Sequence, residues 1–216
     1  FERGWIRETD HYQYDTLGRL VQVRRRNPED TDTRFPDKDH ALLSVDYEYD
    51  AVGNIRHTQV SANYTGYTRV DSEDYYLYDE NNRMTVNKGQ LINNQIVMNQ
   101  LQGSTSSYDA AGNIRDAAKY ENGAIQNYHY EYNNENQLEL IQKNTKNLQS
   151  RFYDAAGRVI QENEFDANNN VAQKNIMSYD KGFLVAQSTL NSANNEISKT
   201  NYEHDGAGNL INLKLH

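Results

Sequence analysis

Apolar and polar residues alternate along this chain with a period of two for a few positions at a time, and each run is then broken by Asp, Asn or Gly. Tyr12 and Tyr14, Tyr47 and Tyr49, Tyr76 and Tyr78, and Tyr130 and Tyr132 each put two rings on one face of an extended segment, because successive side chains of a strand point to opposite faces. Aromatic rings suit such half-buried pleated surfaces. Past each break the apolar residues resume, in Leu20-Val21-Gln22-Val23, at Ile55 and Ile114, and in Val159-Ile160 and Leu210-Ile211. The pattern predicts an all-β chain, a long antiparallel meander of about sixteen short strands.

The breaks themselves repeat. The string YDTLGRL at 14 returns as YDAVGNI at 49, YDENNRM at 78, YDAAGNI at 108, YNNENQL at 132, YDAAGRV at 153, YDKGFLV at 179 and HDGAGNL at 204. Intervals run from 21 residues (132 to 153) to 35 (14 to 49), the signature of a repeat array with loops of variable length. Asp15, Asp50, Asp79, Asp109, Asp154, Asp180 and Asp205 each follow the ring position (Tyr14, Tyr49, Tyr78, Tyr108, Tyr153, Tyr179, and His204 in the last unit). A carboxylate there can accept a hydrogen bond from a backbone N–H two residues on. Three residues after the Asp stands Gly18, Gly53, Gly112, Gly157 or Gly208, a residue that accepts positive φ at no steric cost. Where this glycine is missing the substitute is Asn82 or, after Tyr132, Asn136, and Asn is the side chain that best tolerates the left-handed region. In the unit at 179 the glycine comes one residue early, so a tighter turn is expected at Lys181-Gly182. Each unit thus reads as a hairpin of the type I turn plus bulge kind.

The opposite ends of the units are looser and rich in Asn. Asn122-Gly123 is a strong two-residue hairpin signal, and Asn93-Asn94, the stretch 168–170 and the stretch 191–195 are weaker versions of it. Residues 27–44, with Pro28 and Pro36, are expected to form a long surface loop, since proline is poorly tolerated in a central strand. Residues 1–216 are otherwise expected to be one array of about eight units, a stretch of a longer chain.

Composition sharpens this picture. Hydrophobic residues make up only 36% of the 216 and mean hydropathy is −1.01, low for a two-layer sandwich. Disorder is nonetheless disfavoured, because net charge is only −9 and there are 17 tyrosines. A pI near 5.1 argues against a general nucleic-acid footprint, and the basic run Arg24-Arg25-Arg26 reads as a solvated strand end. Without cysteine there is no disulfide framework, thiolate metal site or thiol nucleophile. No run approaches the ~20 apolar residues of a membrane span, and the first residues carry no apolar signal-peptide core.

Candidate chemistry is sparse. The histidines at 11, 40, 57, 129, 204 and 216 show no metal-ligand spacing, and His129 and His204 sit in strand patterns that suit packing. The acidic cluster Glu29, Asp30, Asp32, Asp37 and Asp39 lacks a regular calcium-loop spacing; Asp166, Asn168 and Asn170 begin like one, but Val171 and Met177 stand where Gly and a bidentate Glu are needed. The repeated aspartates could be taken for catalytic carboxylates, yet one active site does not need seven copies whereas every hairpin needs its own turn. No catalytic residue, cofactor site or metal site is therefore expected. Tyr stripes among Asn, Asp and Gln leave a glycan-binding or adhesion surface as the alternative, against cross-strand Tyr pairs that hold the sheet together.

Repeated Tyr-x-Tyr-Asp-x-x-Gly-Arg/Asn-Leu/Ile resembles the Rhs/YD-repeat family of bacterial polymorphic toxins, Tc insecticidal toxin B and C components, and teneurins, from about residue 9 to 213. The resemblance implies a curved antiparallel sheet that forms part of a spiral shell enclosing a C-terminal toxin segment. It also implies a non-enzymatic role, neighbouring repeats of the same chain and an enclosed toxin polypeptide as partners, and a secreted or cell-surface bacterial location. Exposed strand edges further predict edge-to-edge self-association.

Overall fold

The computed structural model describes residues 9–26, 41–64 and 67–216. Among these there are seventeen strands and no helix, all in one open antiparallel sheet. Prolines 28 and 36 and the acidic cluster at 29–39 lie outside the described residues. The expected 27–44 loop does not reach 44, because Ala41–Tyr49 is a strand and Ser44 within it is buried; residues 27–40 lie outside the described residues. The apolar-polar alternation that marks strands elsewhere begins at this Ala-Leu-Leu-Ser-Val run, and the prolines before it had masked where it starts.

The chain divides into two compact units, residues 1–105 and 106–216. In the first, β1 (Thr9–Tyr14), β2 (Leu20–Arg26), β3 (Ala41–Tyr49), β4 (Ile55–Tyr64), β5 (Tyr67–Tyr78) and β6 (Met84–Ile92) each pair with the next. Tyr12, Val23, Val45 and Val60 form one cross-strand row, and Gln13, Gln22, Asp46, Gln59 and Glu73 form a polar row beside it. Adjacent residues in a strand face opposite ways, so one face of this unit carries Tyr and Val and the other carries amides and carboxylates. The basic run closes β2, where Arg25 pairs with Asp10 at 3.0 Å.

The unit ends less regularly. Residues 89–92 of β6 pair with β7 (Gln95–Met98), whereas Val86 and Asn87 pair with β8 (Ser104–Tyr108). Two short strands thus share one edge of β6, which is why the count exceeds sixteen. Asn99 and Gly103 close the turn between them.

β8 leads into the second unit, a meander of β9 (Ile114–Glu121), β10 (Ala124–Tyr132), β11 (Leu138–Lys143), β12 (Lys146–Tyr153), β13 (Val159–Phe165), β14 (Val171–Asp180), β15 (Phe183–Asn191), β16 (Glu196–His204) and β17 (Leu210–Leu215). Polar rows cross it too: Ser150, Asn163 and Lys174 lie side by side, and the nearly buried Asn163 donates to Ser150 Oγ at 3.1 Å. Arg151 and Glu162 pair at 2.9 Å.

Among the described residues only Ala62 and Val86 are buried hydrophobics, and none of the large side chains is fully buried. This is what a single sheet layer gives, since side chains are shielded only by their neighbours on the same face. Stability in such an array comes from nearest-neighbour joints rather than from a common core.

Candidate functional site

The repeated motif folds into one device. In the first hairpin Asp15 N–H donates to the Arg19 carbonyl at 2.9 Å and Gly18 N–H to the Asp15 carbonyl at 3.0 Å. Asp15 Oδ1 accepts from the backbone N–H of Leu17 and Arg19, both at 2.9 Å, while Oδ2 accepts from Arg19 Nε at 2.7 Å. The same backbone pair closes the turns that begin at Asp50, Asp79, Asp109, Asn133, Asp154 and Asp205. Gly18, Gly53, Gly112, Gly157 and Gly208 have φ of 78 to 101°, and Asn82 and Asn136 have φ of 60 and 61°. A register shift falls just before the ring residue, for instance between Gln13 and Tyr14, Glu48 and Tyr49, and Phe152 and Tyr153. The left-handed residue absorbs it as a bulge.

In the turn at Asn133 the neutral amide accepts from Glu135 and Gln137 N–H through Oδ1 and donates to Gln137 Oε1. The unit at 179 differs: Asp180 ends β14 opposite Phe183 across the two-residue turn Lys181-Gly182, with φ of 47 and 93°. Its carboxylate makes none of the capping contacts seen at the other aspartates. His204, which replaces the tyrosine of the last unit, stacks on Phe183 with ring centroids 5.3 Å apart.

The residue after the left-handed position was not singled out from the sequence, and it does much of the joining. Arg19, Asn54, Arg83, Asn113, Gln137, Arg158 and Asn209 each bond their own turn's capping side chain. Several also reach the next unit. The Arg19 guanidinium lies 4.7 Å from the centre of the Tyr49 ring and that of Arg158 4.5 Å from Tyr179, while Asn54 and Asn113 donate to Asn82 and Asn136. The Arg/Asn letter of the motif was the available signal.

The motif tyrosines complete the joint by a route other than ring-on-ring pairing. Tyr49 OH donates to the Leu20 carbonyl at 2.7 Å, Tyr132 to Ile114 at 3.1 Å, Tyr153 to Leu138 at 2.7 Å and Tyr179 to Val159 at 2.9 Å. Each acceptor is the first residue of the return strand one unit earlier. Tyr78 has a hydroxyl held toward its neutral form by burial, and Tyr108 precedes the Asp109 turn. Tyr14 is 58% exposed. Replacing Tyr153 by Phe is expected to cost about 0.5–1.5 kcal/mol, the net value of one such hydrogen bond, as read by urea denaturation; an unchanged midpoint would remove the hydroxyl from the joint.

A second ladder runs along the opposite ends in the second unit. Asn144, Asn169 and Asn194, at φ of 50, 63 and 61°, bond back to Asn127, Asn147 and Lys174 respectively. Left-handed positions here carry Asn because its side chain is used. The two-residue turns at Asn93-Asn94 and Asn122-Gly123 have positive φ at both residues. The stretches 166–170 and 191–195 are instead five-residue turns of the same kind as Asp15–Arg19: Asp166 Oδ1 accepts from Asn168 and Asn170 N–H, and Asn191 Oδ1 from Ala193 and Asn195 N–H. This corrects their reading as two-residue hairpins: Asp166 to Asn169 has the Asp-x-x-Asn form of Asp79 to Asn82, and Asn191 to Asn194 the Asn-x-x-Asn form of Asn133 to Asn136.

Electrostatics follow from the turns. The Arg19 N–H and guanidinium hold Asp15 below the usual carboxylate range, Arg83 does the same for Asp79, and the side chains of Asn113, Arg158 and Asn209 lead the lowering at Asp109, Asp154 and Asp205. His129, Arg115 and Ser107 bring Asp116 down to about 2, and Lys119, Tyr128 and Lys143 bring Glu121 to about 2. A carboxylate with a depressed folded-state pKa contributes stability that is present above its unfolded value and is lost as pH falls through the folded one. The melting temperature is therefore expected to drop as pH falls from about 4 to about 2, as followed by circular dichroism; a flat profile there would show that these contacts do not hold in solution. Among the described residues no group of three or more His, Asp and Glu is placed to hold a metal ion, and no helix is long and apolar enough to cross a membrane.

No family model matches this chain, and no curated protein matches it. Solved structures do. Crystal structures of TcdB2-TccC3-Cdc42 and of TcdB2-TccC3 each align over 96% of this chain at 17% identity with a TM-score of 0.53, and TcdB2-TccC3-TEV aligns over 95% at 13% identity with a TM-score of 0.50. The chain spans only 10 to 11% of the length of those chains. The all-β antiparallel meander expected from the sequence is thus the fold found, and it is shared with stretches of the TcdB2-TccC3 chains.

Proposed function

We propose that this chain is a structural, non-enzymatic stretch of the β-sheet wall of an Rhs or Tc-type toxin shell, one that surrounds a toxin polypeptide and is continued by further repeats of the same longer chain. The observation that carries the reading is the joint: turn and ring residues are spent on linking one hairpin to the next, as a wall requires. The scarcity of buried side chains among the described residues fits a sheet with water or cargo on one face, and the likeness in fold to TcdB2-TccC3 supports the same role. The family resemblance further suggests a secreted or cell-surface bacterial protein. Negative-stain imaging of the full native polypeptide that contains these residues tests the proposal. A hollow particle with internal density is the expected result; a compact or extended particle without a cavity would overturn it.

A groove of about 440 Å³ favours glycan binding as a second reading. It lies between the turns at Asp50 and Asp79 and is lined by Arg56, Tyr76 and Tyr78, rings and polar tips of the kind that stack on sugars. A glycan array probed with this chain and showing no signal above background would dispose of it.

A further inference from the structure

Two dipeptides in this chain set a side-chain carbonyl carbon beside a glycine nitrogen, Asn122-Gly123 and Asp205-Gly206. Attack of that nitrogen on that carbon closes a five-membered succinimide, and at neither glycine does anything lie within 4 Å of where a Cβ would stand. The fold treats the two sites oppositely. Asp205 Oδ1 accepts from the N–H groups of Ala207 and Asn209, both at 2.9 Å, and Oδ2 from Asn209 Nδ2 at 2.9 Å. These bonds hold the carboxyl group in place and below the usual carboxylate range, so it stays ionised and no oxygen leaves it readily.

Asn122 has no such hold. Asn82, Asn136, Asn144, Asn169 and Asn194, which share its left-handed backbone, each bond through the side chain to another turn or strand. Among the described residues Asn122 makes no side-chain hydrogen bond, and it and Gly123 are both exposed. The motif glycines donate their N–H to the carbonyl that opens their turn, as Gly18 does to Asp15, whereas Gly123 N–H donates to no carbonyl of its own turn. Asn93 and Asn94 also lack side-chain bonds, but each is followed by a residue whose Cβ crowds the nitrogen. The turn caps the last ladder pair, Glu121 with Ala124, so it opens at the cost of few contacts, and glycine supplies the backbone freedom that ring closure needs.

We propose that Asn122-Gly123 is a site of spontaneous deamidation, and that its isoaspartate product loosens the joint between β9, β10 and β11. On opening of the turn the Gly123 nitrogen gives its proton to a solvent base and bonds to Asn122 Cγ, and the side-chain nitrogen takes up a proton and leaves as ammonia. Water then opens the imide at either carbonyl, leaving aspartate or, with the main chain rerouted through the side chain, isoaspartate. Isoaspartate lengthens the main chain by a methylene directly beside Glu121. On the Glu121 carboxylate converge Lys119 of β9 at 2.6 Å, Tyr128 of β10 at 2.6 Å and Lys143 of β11 at 3.2 Å. The proposal rests on turn chemistry alone and stands or falls separately from the shell reading.

Peptide mapping by mass spectrometry tests it, on the full chain held in mildly alkaline buffer either folded or unfolded in urea. In the folded chain Asn122 is expected to gain the mass of an acid in place of an amide before any other asparagine, and the converted protein to unfold at a lower urea midpoint than the fresh one. Asp205 is expected to isomerise only in urea. Gly123→Asn, which reproduces the Asn93-Asn94 turn, is expected to keep the Asn122 amide over the same period. An Asn122 still intact in the folded chain once the unfolded chain has converted it fully would overturn the proposal. So would another asparagine converting first, Asp205 isomerising as fast folded as unfolded, or Gly123→Asn converting at the wild-type rate. An unchanged urea midpoint after conversion would overturn the loosening of the joint.

Discussion

Replacing Gly18 by Val is expected to destabilise the first unit by about 1–3 kcal/mol, at the upper end of that range because the new residue is β-branched. Gly18 sits at φ +78° and nothing lies within 4 Å of where a Cβ would stand, so the cost is conformational and owes nothing to crowding. Gly18→Asn is expected to lose much less, since Asn82 and Asn136 hold the same position in two other turns. Urea denaturation of both variants checks this ordering. Equal midpoints for Val and Asn would mean that the left-handed position is not what the motif preserves.

The second large effect is expected at a glycine of the opposite kind. Gly103 has no special φ, but a Cβ there would stand 2.6 Å from Asn99 N and from the Lys88 carbonyl oxygen, both backbone atoms. Neither can swing aside as a flexible side chain would, so Gly103→Ala forces the turn at 99–103 away from β6. The backbone there is already strained, with Lys88 at φ 51° in the interior of a strand. A loss of about 1–3 kcal/mol or more is expected, as for other overpacked sites. Gly206→Ala, with nothing within 4 Å and no positive φ, serves as the control and is expected to be neutral. A neutral Gly103→Ala would show that β7 and β8 do not share the edge of β6.

The turns were legible in the sequence because their chemistry is local: Asp caps backbone N–H groups two and four residues on, and glycine or Asn supplies positive φ within the same five residues. Strand type was legible for the same reason, from alternation around each turn. The joints were not. That Tyr153 would reach the Leu138 carbonyl depends on a register between strands, and nothing inside either strand states it. Ring stripes suggested Tyr beside Tyr, whereas the hydroxyl seeks a carbonyl and the ring takes a guanidinium above it. At the other end of the hairpins, Asn169 and Asn194 looked like generic loop residues because their use of the side chain depends on the neighbouring unit. The irregular pairing of β6 with β7 and β8 was also hidden: the motif at Tyr108 continues the pattern, and neither Lys88 nor Gly103 falls at a repeat position.

The account's central claim is that the repeated residues serve as joints between successive hairpins. A double-mutant cycle on Arg158 and Tyr179 tests it most directly, with Arg158→Ala, Tyr179→Leu and the double variant compared by urea denaturation. Arg158 lies in one turn and Tyr179 before the next, and the guanidinium stands over the ring 4.5 Å from its centre. A coupling energy of about 0.5–1 kcal/mol is expected, the range for a solvent-accessible cation over an aromatic face. Strict additivity of the two single losses would contradict the claim, leaving the motif as a series of independent turns.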